Sequence, residues 1–184
     1  MTSVYVCGAW TEQHFRARPM IAKLREAALT ISHDWTQAEG DVCACGHPKS
    51  HHSDVPVTGS YCCDRCPGFN GIGVGGDSGL SPADRKRFAQ ADLDGVLSAD
   101  IVWLLAANDK GACGGWVELG AALAAQECRR RQDELEGPPS GRGPLIIVSG
   151  PRRNRTIFTD LADVRFDDDE KALGYILLTV GRDP

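Results

Sequence analysis

The sequence predicts an α/β fold: a doubly wound parallel sheet, Rossmann-like or flavodoxin-like, with a small zinc-stabilised insert. Three observations predict it. Val4-Tyr5-Val6-Cys7, Ala99 to Ala106 and Leu145-Ile146-Ile147-Val148 are apolar almost throughout, as strands covered on both faces are. Segments with helical spacing of apolar residues stand between them, the alternation that builds βαβ units. The alternation then stops over residues 36–80, where five of the eight cysteines and three of the five histidines fall together.

The elements follow in order. Val4 to Cys7 is a strand, ended by Gly8. Residues 13–29 carry Phe15, Ile21, Leu24 and Ala28 at helical spacing, with Pro19 suited to a helix start. Leu29-Thr30-Ile31-Ser32 alternates into a second strand that runs out at His33-Asp34-Trp35. Ser81 is a good N-cap and Pro82 suits the first helical position, so a helix is expected to about Leu97, with a break near Gly95. Ala99 to Ala106 is the central strand. Gly111 to Gly115 reads as a glycine-rich turn. A helix follows from Trp116 to about Arg131, with Leu119 and Leu123 on one face. The charged stretch Glu127 to Glu136 leads into the loop Pro138-Pro139-Ser140-Gly141. Leu145 to Val148 is a buried strand closed by Gly150-Pro151, Val164-Arg165-Phe166 a short last strand, and Glu170 to Val180 a closing helix. No internal repeat is visible. One domain is expected over residues 1–184, with the insert inside it.

Composition excludes several classes. The chain has 184 residues and a mass of 19.8 kDa, with 42% hydrophobic and 24% charged residues, enough apolar matter for a real core. The net charge of −5 gives no global field for nucleic acid or anionic membrane. No apolar run approaches the ~20 residues of a membrane span. The first residues lack the basic and apolar regions of a signal peptide, so the cytoplasm is the expected compartment.

A disulfide framework would not need histidines, whereas thiolates and imidazoles together suit a tetrahedral zinc ion. Cys63-x-x-Cys66 is a chelating pair, and Cys45 with His52 or His51 can offer the other. The preferred set is Cys45, His52, Cys63 and Cys66, with Cys43 as the main competitor. A closed set of four leaves no position for water, so the zinc is expected to be structural. Only Lys49 and Arg65 stand nearby, so a nucleic-acid-binding knuckle is not expected.

Ligands of such sheets bind beyond the carboxyl ends of the strands. Glu118 lies just past Cys113-Gly114-Gly115, in what reads as the first turn of a helix. Gly114 and Gly115 would let backbone approach a ligand closely, and a helix N-terminus favours the charged form of a carboxylate, which a nucleophile requires. A first-turn glutamate is also ordinary for the same reason. Asp92 and Asp94 sit near the end of the preceding helix, where an acid is mildly unfavourable, although a solvated helix face would explain either. Gly8 follows the first strand, and Trp10 could stack on a ring or cap the core. No G-x-G-x-x-G dinucleotide fingerprint is present.

Three segments together resemble the nucleoside 2-deoxyribosyltransferase-like family. They are Val4 to Trp10, Ala91 to Asp100 with its Asp92-Leu93-Asp94-Gly95, and Gly114-Gly115-Trp116-Val117-Glu118-Leu119-Gly120-Ala121-Ala122-Leu123. The resemblance spans residues 4–35 and about 82–180. It implies that Glu118 is the nucleophile at the sugar C1′ and that Asp92 binds or protonates the leaving base. The family's second Asp just before the Glu is absent: Ala112-Cys113 stand near its place, and Asn108 and Asp109 are the stand-ins. Asn154 is the match for a polar residue that a neighbouring subunit supplies, so a homo-oligomer, at least a dimer, is expected. The implied function is cleavage or transfer of an N-glycosidic bond in a nucleoside or nucleotide. The alternative is a non-catalytic nucleotide-binding or sensing module whose zinc insert engages a partner.

Overall fold

The structure, a computed structural model, describes residues 1–9, 16–36, 82–106, 113–136, 143–151 and 156–181. Five strands form one parallel sheet: β1 (Ser3–Cys7), β2 (Thr30–Ile31), β3 (Ile101–Leu105), β4 (Leu145–Ser149) and β5 (Val164–Phe166). Their spatial order is 2-1-3-4-5, one of the two common doubly wound orders. The register aligns Ser3 with Thr30, Val4 with Ile101, Ile101 with Leu145 and Ile147 with Val164.

Both faces of the sheet are covered, which is why the strands read as unbroken apolar runs. Val4 and Val6, Ile101, Trp103 and Leu105, and Ile147 point to one face. There they pack on Met20, Ile21 and Leu24 of α1 (Arg18–Glu26) and on Ala172, Leu173 and Ile176 of α4 (Asp169–Val180). Tyr5, Cys7, Val102, Leu104, Ile146 and Val148 point to the other. They meet Val96 of α2 (Pro82–Ser98) and Leu119 and Ala122 of α3 (Cys113–Glu136).

Several boundaries differ from those expected. α1 begins at Arg18, with Pro19 in its first turn, and ends earlier, at Glu26. Its end is a Schellman turn: Ala28 N–H donates to Arg25 O and Leu29 N–H to Leu24 O, with Ala28 at φ +61°. β2 is shorter than expected, although Ser32 N–H still donates to Val4 O; a short edge strand gives little for another chain to pair with. α3 is longer at both ends. Cys113, Gly114 and Gly115 belong to it rather than to a preceding turn. Its charged end stays helical, with Glu127 paired to Arg130 and Arg131 on the same face.

α2 runs unbroken through Gly95, and the reason is steric. A Cβ on Gly95 would lie 2.5 Å from His33 Cβ and 2.8 Å from Tyr5 Cε2. The glycine is where the helix, the end of β2 and a ring of β1 touch. Gly95→Ala is therefore expected to destabilise the protein by about 1–2 kcal/mol, the overpacking cost exceeding alanine's helix preference. Gly120→Ala on the exposed side of α3, with nothing within 4 Å of its Cβ, should stabilise it by about 0.5–1 kcal/mol. Urea unfolding of the two variants checks both signs; two stabilised variants would show that Gly95 is only a helix defect.

Candidate active site

The alternation of β1 sends Tyr5 toward α2 and α3, fully buried. A buried phenol needs a hydrogen-bond partner, and Tyr5 finds two. Its Oη lies 3.0 Å from Glu118 Oε1 and 3.3 Å from Asp92 Oδ1. The same Asp92 oxygen is 3.4 Å from His33 Nε2. The result is a row of four groups, His33, Asp92, Tyr5 and Glu118, from a partly exposed imidazole to a buried carboxyl. Tyr5 has one proton to donate, so satisfying both contacts at once requires a proton on one of the two carboxyls.

The backbone sets this row. Gly115 stands one turn before Glu118, and a Cβ there would lie 3.1 Å from Leu104 Cδ1 and 3.6 Å from Gly8 N and O. The start of α3 thus rests closely on the Leu104 side chain, with the exit of β1 in ordinary contact beside it. On its other side Gly8 meets the Trp35 ring, 3.4 Å from where its Cβ would be, and Trp35 Nε1 donates to Val6 O at 2.6 Å. The close approach of Gly8 and Gly115 is to neighbouring chain, not to an open pocket. Gly114, by contrast, has nothing within 4 Å of its Cβ position.

The expected place of Glu118 in its helix is corrected. Because α3 starts at Cys113, Glu118 lies in the second turn, past the helix's unpaired N–H groups. It is also only 9% exposed, within the packed layer rather than at its rim. Burial, and after it the Asp92 charge, push its carboxyl up to about 7, against the Tyr5 hydroxyl and the Cys7 thiol, which lower it. Its Oε2 is buried without a hydrogen-bond partner among the described residues. Asp92 is also raised by burial, with His33 and the Tyr5 hydroxyl opposing. Burial raises the Tyr5 hydroxyl and the Cys7 thiol, with Glu118 adding to both, so both stay protonated near neutrality.

The structure brings Glu118 and Asp92 to the same Tyr5 hydroxyl. It does not bring Asp94 to them: Asp94 is exposed and accepts from Gln90 Nε2 at 2.8 Å, along α2 itself. Trp10, Asn108, Asp109, Asn154 and the candidate zinc ligands Cys43, Cys45, His52, Cys63 and Cys66 lie outside the described residues. Among the described residues, no group of three or more Cys, His, Asp or Glu could hold a metal ion.

Sequence reasoning passed over Tyr5, Cys7 and His33. A signal for Tyr5 was present: a hydroxyl in a strand otherwise made of aliphatic residues and a cysteine must be satisfied by something in the layer above. It also passed over a second polar network at the carboxyl edge of the sheet. Arg16 Nε and Nη2 grip Asp169 at 2.8 and 2.9 Å, and Arg16 Nη1 donates to Ala106 O at 3.1 Å. Ser149 Oγ donates to Asp169 Oδ1 at 2.6 Å and accepts from Trp103 Nε1 at 2.8 Å. This network ties β3 and β4 to the start of α4. Gly150, at φ +100°, makes room for it, since a Cβ there would meet Arg16 Nη2 at 2.6 Å.

No protein-family model, curated protein or solved structure matches the chain. No helix among the described residues is long and apolar enough to cross a membrane.

Proposed function

We propose that the chain cleaves or transfers the N-glycosidic bond of a nucleoside or nucleotide, with Glu118 as nucleophile and Asp92 as the acid toward the base. One observation carries the reading: a single buried hydroxyl, Tyr5 Oη, reaches oxygens of both carboxyls. Two oxygens within hydrogen-bond reach of one atom are no more than about 6 Å apart. Both carboxyls therefore stand close enough to act on one bond, as the paired acids of glycosidic cleavage do.

In this reading an oxygen of ionised Glu118 forms a bond to C1′ as the C1′–N bond breaks. The electron pair leaves with the base, and the base nitrogen takes the proton from Asp92. Water, or the nitrogen of a second base, then displaces Glu118 from C1′ and returns the proton to Asp92. Both carboxyls have a raised affinity for protons, and one proton held between them leaves one acid and one anion; the reading requires that proton on Asp92 when substrate is bound. The burial of Glu118 favours a second reading, in which the network is structural and the pocket binds a nucleotide without turnover.

The deciding experiment incubates the protein with a panel of nucleosides and nucleotides and measures released base. Release from any member, lost in Glu118→Ala, supports the first reading. Binding without release across the panel supports the second.

The same proposal assigns a structural zinc to the Cys/His segment, on the chemistry of its donors, thiolates with imidazole. Purified, reduced protein is expected to carry about one zinc per chain, and a strong chelator should raise proteolytic cleavage within residues 36–80 while far-UV dichroism of the sheet and helices persists. Elemental analysis that finds no bound metal would remove the assignment.

A further inference from the structure

We propose that His33 decides which of the two carboxyls, buried Glu118 or half-buried Asp92, holds the proton they share across Tyr5. Asp92 Oδ1 is the one oxygen reached from both sides, by His33 Nε2 at 3.4 Å and by Tyr5 Oη at 3.3 Å. Tyr5 Oη passes the connection on to Glu118 Oε1 at 3.0 Å. The groups facing the row are few among the described residues. Asp92 on α2 faces His33 from the end of β2 and Tyr5 from β1. Glu118 on α3 faces Tyr5 and Cys7 from β1, and Asp92 across Tyr5. Arg25 and Asp34, near His33 in the chain, are paired with each other at 2.8 Å. The absence of a side chain at Gly95, against both His33 and Tyr5, is what allows this approach.

The two states follow from proton counting. When His33 is protonated, its charge favours Asp92 as the anion. Asp92 then accepts from the Tyr5 hydroxyl, and Tyr5 Oη accepts from a protonated Glu118. When His33 is neutral, Asp92 loses its cationic partner. The proton moves to Asp92, the Tyr5 hydroxyl turns to donate to Glu118, and Glu118 becomes the anion. No atom travels further than a hydrogen-bond length. The second state, Glu118 ionised and Asp92 protonated, is the one a nucleophile and a base-side acid require. That catalytic consequence rests on the function proposed above; the proton placement does not. His33 is thus a positioning residue: it touches neither sugar nor base, yet its charge sets the state of the pair that does.

The test is a carboxyl-carbon NMR titration of the full-length chain. The two signals are assigned with Glu118→Gln and Asp92→Asn, and wild type is compared with His33→Gln. We expect the two midpoints to move in opposite directions in His33→Gln, Glu118 down and Asp92 up, each by about one pH unit. Simple loss of a nearby positive charge raises both together, and that result, or no movement of either, overturns the proposal. If His33→Gln does not fold, His33→Lys keeps the charge at every pH. Asp92 should then stay ionised and the Glu118 midpoint should rise, whereas an unchanged Glu118 midpoint overturns the proposal. The base-release assay separates the two ideas. Opposite movements in a protein that releases no base leave the relay standing and remove the glycosidic reading. Base release with unmoved midpoints does the reverse.

Discussion

Glu118→Ala and Glu118→Gln are each expected to reduce base release by about a thousandfold or more on a substrate the wild type turns over. Among the described residues the only other carboxyl in the row is Asp92, on the far side of Tyr5, so nothing is placed to take over the covalent step. Glutamine keeps the size and a hydrogen-bonding oxygen for Tyr5, so nucleotide binding should persist in Glu118→Gln while turnover does not. Asp92→Asn should be milder, about a hundredfold, and should depend on the base, since a better leaving group needs less protonation. In wild type the nucleophile must be ionised, and its carboxyl titrates at about 7. Base release should therefore fall on the acid side with a midpoint near that value, by about tenfold per pH unit below it. Equal rates in wild type and Glu118→Ala would reduce Glu118 to a buried structural acid.

The second large effect is on stability, and it does not depend on any substrate. Folding raises the Glu118 carboxyl from 4.5 to about 7. The native state therefore binds that proton more tightly than the unfolded chain does. Its contribution is most favourable below the unfolded value, is lost as pH rises between the two values, and is flat above the folded one. The expected loss is about 3 kcal/mol. Other carboxylates titrate in the same window, so the readout is the difference between Glu118→Gln, which cannot ionise, and wild type. Urea unfolding should show Glu118→Gln gaining about 3 kcal/mol relative to wild type between pH 4.5 and pH 8. A difference that stays constant with pH would mean that Glu118 is not buried as an anion at neutrality. A variant that gains stability where it loses turnover is the trade expected of a residue kept for function.

The sheet was legible because its strands are covered on both faces. A run such as Ile101-Val102-Trp103-Leu104-Leu105, apolar throughout and rich in β-formers, reads directly as a buried strand. The ends of α3 were not legible. Gly114 and Gly115 look like a turn in sequence, and only the approach of Gly115 to the Leu104 side chain shows why a glycine stands in the first turn of the helix. Gly95 misled in the same way: a glycine that looks like a helix break is the point where three segments touch. For the candidate site, Glu118 and Asp92 were singled out by the resemblance, since their places alone fit a first-turn acid and a solvated helix face equally well. Their partners Tyr5 and His33 could not be singled out, because hydrogen bonds between residues 87 and 113 positions apart leave no local pattern. The environment of Glu118 was misjudged because position in a helix was weighed and depth in the layer was not.

The tight contacts at Gly95 and Gly115 make the spacing of the His33–Asp92–Tyr5–Glu118 row hostage to residues that carry no chemistry. Where a helix sits close on a neighbouring element because a side chain is missing, its height sets the reach of the side chains one turn away. A random-mutagenesis screen scored on turnover should therefore return Gly95 and Gly115 alongside Glu118 and Asp92. Scored instead on folded yield, the glycine variants should again be returned, while Glu118→Gln drops out. The two screens together would separate the residues that act from those that only hold the distance.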